Sequence, residues 1–258
     1  MYSYIDIGER NNDVLVLVHG LGSRKESWKY QFELSKNFRL IAPDLRGHGD
    51  SSLDDDITIK TFARDIIHLL EQLGISAAHF CGLSLGGIVV QEIVKTKPAI
   101  VQSLILSNTS SYIPRMTGLY ALSEGKKNLA KMSDDLYEQH IIKQCMYDAK
   151  NEKLFHDIHS FYFKLNRKTY LKAAKSGVGI NYLSTLMFCP KPIIIIASLN
   201  DRITPYLNAT TMSLAAPFSK MHTFDQCGHT PNVECPAEYN RVLLNFLNEH
   251  RSNKAASQ

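Results

Sequence analysis

No apolar run in the sequence approaches the roughly 20 residues that a membrane-crossing helix requires. The longest, at 14–18 and 193–197, are only strand-sized. Residues 1–12 do not pair a basic start with an apolar stretch, because Asp6, Glu9 and Arg10 interrupt them, so no secretory leader is expected. A cytoplasmic chain with no membrane partner is the expectation. The five cysteines are odd in number, scattered and never spaced CxxC, which argues against zinc or dithiol chemistry and leaves reduced, mostly structural thiols. Cys81 and Cys227 in particular read as small apolar packing residues. Neither G-x-x-x-x-G-K-[ST] nor a strand-following G-x-G-x-x-G occurs, so no nucleotide cofactor is called for. The acidic turn Asp54-Asp55-Asp56 has no histidine beside it and reads as solvated surface, not as a metal site. A net charge of only +4, with lysines interleaved among acids, offers no face for nucleic acid.

What the sequence does contain is an alternation. Short β-branched or apolar runs at 4–7, 14–18, 39–42, 79–81, 101–107, 193–197 and 220–224 alternate with segments of helical period. That pattern predicts strand–helix–strand units and a parallel sheet. Phe62, Ile66, Leu69, Leu70 and Leu73 share one helical face over 59–73, and Gly74 follows as a stop. A second helix is expected over 85–97, before Pro98. The expected fold is therefore α/β, with a mostly parallel sheet of seven or eight strands covered by helices on both faces. After the strand ending near Asn108 the next convincing strand begins only at Ile193, too long a gap for an ordinary crossover. Apolar residues recur there at helical spacings, among them Leu129, Leu136, Ile141, Ile142, Ile158 and Phe161. A helical cap of three or four helices at 112–184, inserted in a core made of 1–111 and 185–258, is the expected organisation.

The chemistry concentrates at strand ends. Gly82-Leu83-Ser84-Leu85-Gly86 follows a predicted strand and opens a predicted helix, the setting in which a tight turn lifts a serine above the sheet edge. A serine at neutral pH needs an adjacent base, held in one tautomer by a carboxylate. Asp201 follows the strand at 193–197 and His229, in Cys227-Gly228-His229, follows the strand at 220–224. Both therefore belong to the carboxyl edge of the sheet, with Ser84. Taken alone, Asp201 is ordinary turn chemistry near a proline, and His229 an ordinary loop histidine; their order and shared edge make them the candidate catalytic residues with Ser84. The candidate oxyanion donors are the backbone amides of Leu21, in His19-Gly20-Leu21-Gly22, and Leu85. His19 itself is expected to brace its loop. Trp28, Tyr112, Tyr120, Phe161 and Tyr162 are candidate substrate contacts, since such pockets are mostly apolar. The middle segment carries more Lys and Arg than Asp and Glu, so a carboxylate-bearing substrate anchored by Arg115, Lys164 or Arg167 is a further expectation.

Along nearly its whole length the chain resembles the α/β-hydrolase superfamily. His19-Gly20-Leu21-Gly22, Asp44-Leu45-Arg46-Gly47-His48-Gly49-Asp50-Ser51, the Ser84 turn, Asp201 with Pro205, and Gly228-His229 with Glu234 and Pro236 are similar to its motifs, in their usual order. A serine at 84 disfavours the branches that use an aspartate nucleophile. Phe80–Gly87 and Asn232-Val233-Glu234-Cys235-Pro236 resemble the 3-oxoadipate enol-lactonase branch. His19-Gly20 is the form shared by small carboxylesterases and meta-cleavage product hydrolases. The resemblance implies a serine hydrolase acting on a small carboxylic ester or lactone through an acyl-enzyme, with no metal or organic cofactor. C–C bond hydrolysis, and a small-molecule receptor with an intact triad, are the alternatives it leaves open. Oligomeric state is not legible in the sequence.

Overall fold

The computed structural model describes residues 2–52, 55–161 and 166–251. Seven strands are present: β1 Tyr4–Ile7, β2 Val14–Val18, β3 Arg39–Pro43, β4 Ala78–Leu83, β5 Val101–Ser107, β6 Ile193–Ser198 and β7 Lys220–Phe224. They form one sheet in the order β1-β3-β2-β4-β5-β6-β7. Only β1 runs antiparallel, pairing Tyr4 with Pro43 and Ile7 with Leu40; the other pairs are parallel. This is an α/β fold with an open, mostly parallel sheet, as expected.

Ten α-helices accompany the strands among the described residues: α1 Ile59–Gln72, α2 Leu85–Thr96, α3 Arg115–Lys131, α4 Asp134–Cys145, α5 Glu152–His159, α6 Arg167–Ser176, α7 Leu183–Met187, α8 Tyr206–Ala215, α9 Pro231–Glu234 and α10 Pro236–Glu249. A twelve-residue 3-10 segment, Lys25–Lys36, precedes β3. That segment does not stand out from periodicity, whereas α10 carries Tyr239, Val242, Leu243, Phe246 and Leu247 at helical spacing, a stripe that the expected elements did not include. No helix among the described residues is long and apolar enough to cross a membrane.

Alternation along the strands divides the core in two. Val16, Val18, Phe80 and Leu104 pack with Phe62, Ile66 and other residues of α1 and α2 on one face. Leu15, Leu17, Cys81 and Ile105 pack with Trp28, Phe38, Tyr239 and Phe246 on the other. Covering both faces is what permits strands such as β2 to be apolar throughout. Helix α1 is started by a reciprocal cap in which Thr58 Oγ1 accepts from the Thr61 amide and Thr61 Oγ1 from the Thr58 amide, satisfying a donor that the first turn cannot.

Helices α3 to α6 lie between β5 and β6 in the chain. They meet the rest of the molecule above the strand ends: Ile142, Met146, Ile158 and Phe161 form a small apolar cluster with Val233 of α9. Asp157 adds polar contacts there, accepting from Lys29 and from the Tyr30 hydroxyl.

Candidate active site

Ser84 occupies the turn between β4 and α2 with φ +54° and ψ −119°. A residue with a Cβ holds such a backbone only when its surroundings impose it. Here the Ser84 amide donates to Ser107 O at 3.0 Å, and Thr109 Oγ1 donates to Ser84 O at 2.6 Å. The flanking glycines permit the close approach that this geometry demands. A Cβ on Gly86 would lie 2.1 Å from Val18 O, and one on Gly82 would lie 2.4 Å from Gly86 O. The sequence pattern G-x-S-x-G is thus a packing requirement of the turn.

Ser84 and His229 line the same cavity, of about 120 Å³, with Leu21, Ile141, Phe161 and Val233 among its walls. His229 Nδ1 lies 2.8 Å from Asp201 Oδ2, and both side chains are nearly inaccessible to solvent. The Asp201 carboxylate is further tied: Oδ1 accepts from the Ile203 and Thr204 amides at 2.8 and 2.9 Å, and Oδ2 accepts from Thr204 Oγ1. Burial pushes the Asp201 carboxyl up, but His229 and the Thr204 donors outweigh it and hold it below its ordinary value. An ionised carboxylate on Nδ1 leaves Nε2 as the basic nitrogen.

The loop that carries Leu21 is braced by His19. Its Nε2 lies 3.0 Å from the Leu45 amide, which can only donate, so the proton resides on Nδ1 and is donated to Gly20 O at 2.8 Å. Burial lowers the His19 pKa, which keeps the ring neutral and this tautomer in place. Leu85 is the first residue of α2, a position whose amide has no carbonyl partner within its own helix. The bracing role expected of His19 agrees with these contacts.

Several residues hold the site together: Asn108 and Lys25 escape sequence reasoning, and Glu234, legible only as part of the motif around His229, gains its role from the contacts it makes. Asn108, at φ +39°, donates from Nδ2 to Ser198 Oγ at 3.1 Å and to Gly228 O at 2.9 Å, linking the ends of β5 and β6 to the His229 loop. Glu234 accepts from the Gly228 and Tyr147 amides at 3.0 and 2.7 Å, and His229 N donates to Cys145 O at 2.6 Å. The histidine loop is therefore clamped from both sides. Lys25, buried beside Asp44, donates to its Oδ2 at 2.7 Å and to Asp50 at 2.6 Å, joining the segment after the Leu21 loop to the turn 44–50.

Four expectations need correction. Trp28 is fully buried, packed with Tyr239 at a ring separation of 6.4 Å, on the sheet face opposite α1 and away from the cavity. Tyr112 and Tyr120 are exposed, at 45% and 70%, and Tyr112 lines a separate pocket of about 200 Å³ with Leu207 and Asn208. Phe161 does line the Ser84 cavity; Tyr162 and Lys164 lie outside the described residues. Arg167 is committed to Asp134 and to the carbonyls of Leu129 and Met132, and neither it nor Arg115 lines the cavity. Finally, Cys227 and Cys235 are joined in a disulfide spanning the His229 loop, where reduced, mostly structural thiols were expected and Cys227 was read as a small apolar packing residue. Nothing in a separation of eight residues announces the pairing, since the two sulfurs meet only through the turn that α9 makes between them. Cys81, by contrast, is buried and its thiol is pushed up to about 12 by that burial, the inert packing residue anticipated.

A protein of Pseudomonas savastanoi pv. phaseolicola assigned as carbamate hydrolase RutD is 28% identical over 246 residues, covering 91% of this chain and 93% of its own. The 3-oxoadipate enol-lactonase 1 of Acinetobacter baylyi is 24% identical over 243 residues, covering 93% of this chain and 90% of its own. Among solved structures, a malate-bound thermophilic esterase from Thermogutta terrifontis superposes with a TM-score of 0.87 at 21% identity, over 97% of this chain and 94% of that one. The model of the alpha/beta hydrolase family matches residues 15–242, and the chain belongs to that family.

Proposed function

We propose that the protein is a serine hydrolase that cleaves a small carboxylic ester or lactone, with Ser84 as nucleophile, His229 as general base and Asp201 orienting the imidazole. The observation that carries this reading is the shared cavity: a serine held at positive φ and a histidine whose far nitrogen is bonded to a buried carboxylate open onto one space. Ser84 Oγ attacks the carbonyl carbon while His229 Nε2 takes its proton. The amides of Leu21 and Leu85 donate to the oxyanion as it forms. Collapse of the tetrahedral species expels the alcohol, which receives the proton from His229, and leaves an acyl group on Ser84. Water, deprotonated by the same nitrogen, then releases the acid. Asp201 stays ionised throughout and stabilises the imidazolium.

The test is labelling with a fluorophosphonate, read by intact mass and by the modified peptide. Stoichiometric labelling at Ser84 that is lost in Ser84→Ala and in His229→Ala is the expected result. Folded protein that takes no label would overturn the assignment and favour a ligand-binding role without turnover.

A further inference from the structure

Beside the Ser84 cavity lies a second and larger one, about 330 Å³. It sits between α3, α4 and α6, where Leu122 and Gly125 face Tyr137, Leu171 and Val178. Ile141, Tyr170 and Ile203 line both spaces, so the two cavities adjoin across three side chains. No Lys, Arg, Asp or Glu among the described residues lines either. The phenols that line the second space are already used: the rings of Tyr137 and Tyr170 meet edge to face at 5.9 Å and their hydroxyls bond to each other. Burial raises both phenols, Tyr170 well above its ordinary value, and keeps the wall uncharged.

The second space is a groove that opens to solvent past Ile203, which is 40% exposed. Its lining is apolar, as ligand sites mostly are, and suits an apolar guest. A Cβ on Gly125 would meet only the Tyr137 hydroxyl, at 3.8 Å, so there is room at that position for a side chain to enter the groove.

We infer that the two cavities form one substrate site, in which the reacting carbonyl lies beside Ser84 and an unbranched apolar chain attached to it runs past Ile141, Tyr170 and Ile203 into the space beneath Gly125. This rests on the proposed serine chemistry for which end reacts, and it narrows the substrate class to esters with an alkyl tail, carried on the acyl carbon or on the alcohol oxygen. It also replaces the carboxylate-bearing substrate considered from the sequence, since an anion would find no cation among the described lining residues.

Two arms test it. In the kinetic arm, kcat/KM is measured for p-nitrophenyl acetate, butyrate and octanoate, and separately for methyl, butyl and octyl acetate. Burial of each added methylene contributes up to about fourfold, so one of the two series should climb steeply, and which one does identifies the end that carries the tail. In Gly125→Leu and Gly125→Phe the octanoate-to-acetate ratio, or its alkyl counterpart, should fall at least tenfold, in step with side-chain size. If neither series rises with chain length, or if the ratio is the same in all three proteins, the inference is wrong. In the binding arm, 1-decanol is titrated calorimetrically into Ser84→Ala with and without Gly125→Leu. Tighter binding than 1-butanol, weakened about tenfold or more by the substitution, supports the tail site even if no ester is turned over. Equal binding in the two proteins refutes the tail site even if Ser84 proves catalytic.

Discussion

Acidification should destabilise this protein well before its carboxylates titrate, because it buries neutral histidines. His48 is fully enclosed, 5.3 Å from the ring of His19, and burial lowers its pKa to about 3. His79, on the central strand against Phe38 and Ser103, is lowered by burial to about 4. In the unfolded chain both titrate near 6.5. Between those values the unfolded state binds protons that the folded state refuses, so stability is full above about pH 6.5 and is lost as pH falls. Each histidine costs about 1.4 kcal/mol per pH unit in that window. By roughly pH 5 the loss is about 2 kcal/mol per histidine, or about 4 kcal/mol for the pair, a large share of the 5–15 kcal/mol typical of a domain. Asp44 and Asp201 do not confuse the reading. Burial pushes both up, but their partners, Lys25 and the Lys25 and Asp50 amides for Asp44, His229 and Thr204 for Asp201, hold them below their ordinary values, so their contribution persists until the pH drops under the carboxylate range. Glu234, raised by burial, opposes the trend only near its own titration. The assay is guanidinium unfolding at roughly pH 7.5 and pH 5, for the wild type and for His79→Leu with Ser103→Ala, which removes both partners of a 2.7 Å contact and so strands neither. The variant should lose about 2 kcal/mol less than the wild type between the two conditions. A wild type equally stable at both, or a variant with an unchanged loss, would refute the argument.

Two further outcomes follow from particular contacts. Asp201→Asn keeps the shape of the turn but removes the charge facing His229 Nδ1, and should lower kcat on a reactive ester by about 10³–10⁴-fold with little change in KM; a loss under about tenfold in steady-state kinetics would remove Asp201 from its role. Lys25→Met deprives Asp44, whose side chain is wholly buried, of its cation. Thermal and denaturant unfolding should show a cost of about 3–5 kcal/mol, partly recovered by adding Asp44→Asn, and no recovery would show that Lys25 acts through packing instead.

How far the sequence reaches can be judged residue by residue. All seven strands lie where the sequence places them: β2 and β6, buried on both faces, must be almost wholly apolar, a local property, while the edge strands β1 and β7, exposed on part of their surface, are marked only by short runs of β-formers between turn residues. Gly82, Ser84 and Gly86 declare the turn for the same reason: the contacts that exclude a Cβ involve the turn itself and the strand end beside it. The aromatic candidates fare worse. Trp28 and Phe161 look alike as large apolar residues, yet one packs beneath the sheet and the other lines the cavity, a difference set by the direction each side chain takes from its backbone. The 3-10 segment at 25–36 escapes notice because it buries Lys25, Ser27 and Gln31 alongside Trp28 and Leu34, whereas α10 carries a regular apolar stripe from Tyr239 to Leu247 that is legible in the sequence and absent from the expected elements.

Order along the chain and residue type therefore determine the sheet, the position of Ser84 and the identity of Asp201 and His229 as its candidate partners, since each depends on a few consecutive residues at a strand end. Tertiary structure alone decides that His229 meets Asp201 at 2.8 Å, that Asn108 and Glu234 clamp the histidine loop, that Cys227 bonds to Cys235, and that two uncharged cavities adjoin across Ile141, Tyr170 and Ile203. Those are contacts between segments distant in the chain, or between side chains whose directions depend on how helices pack, and no local pattern of residue types encodes them.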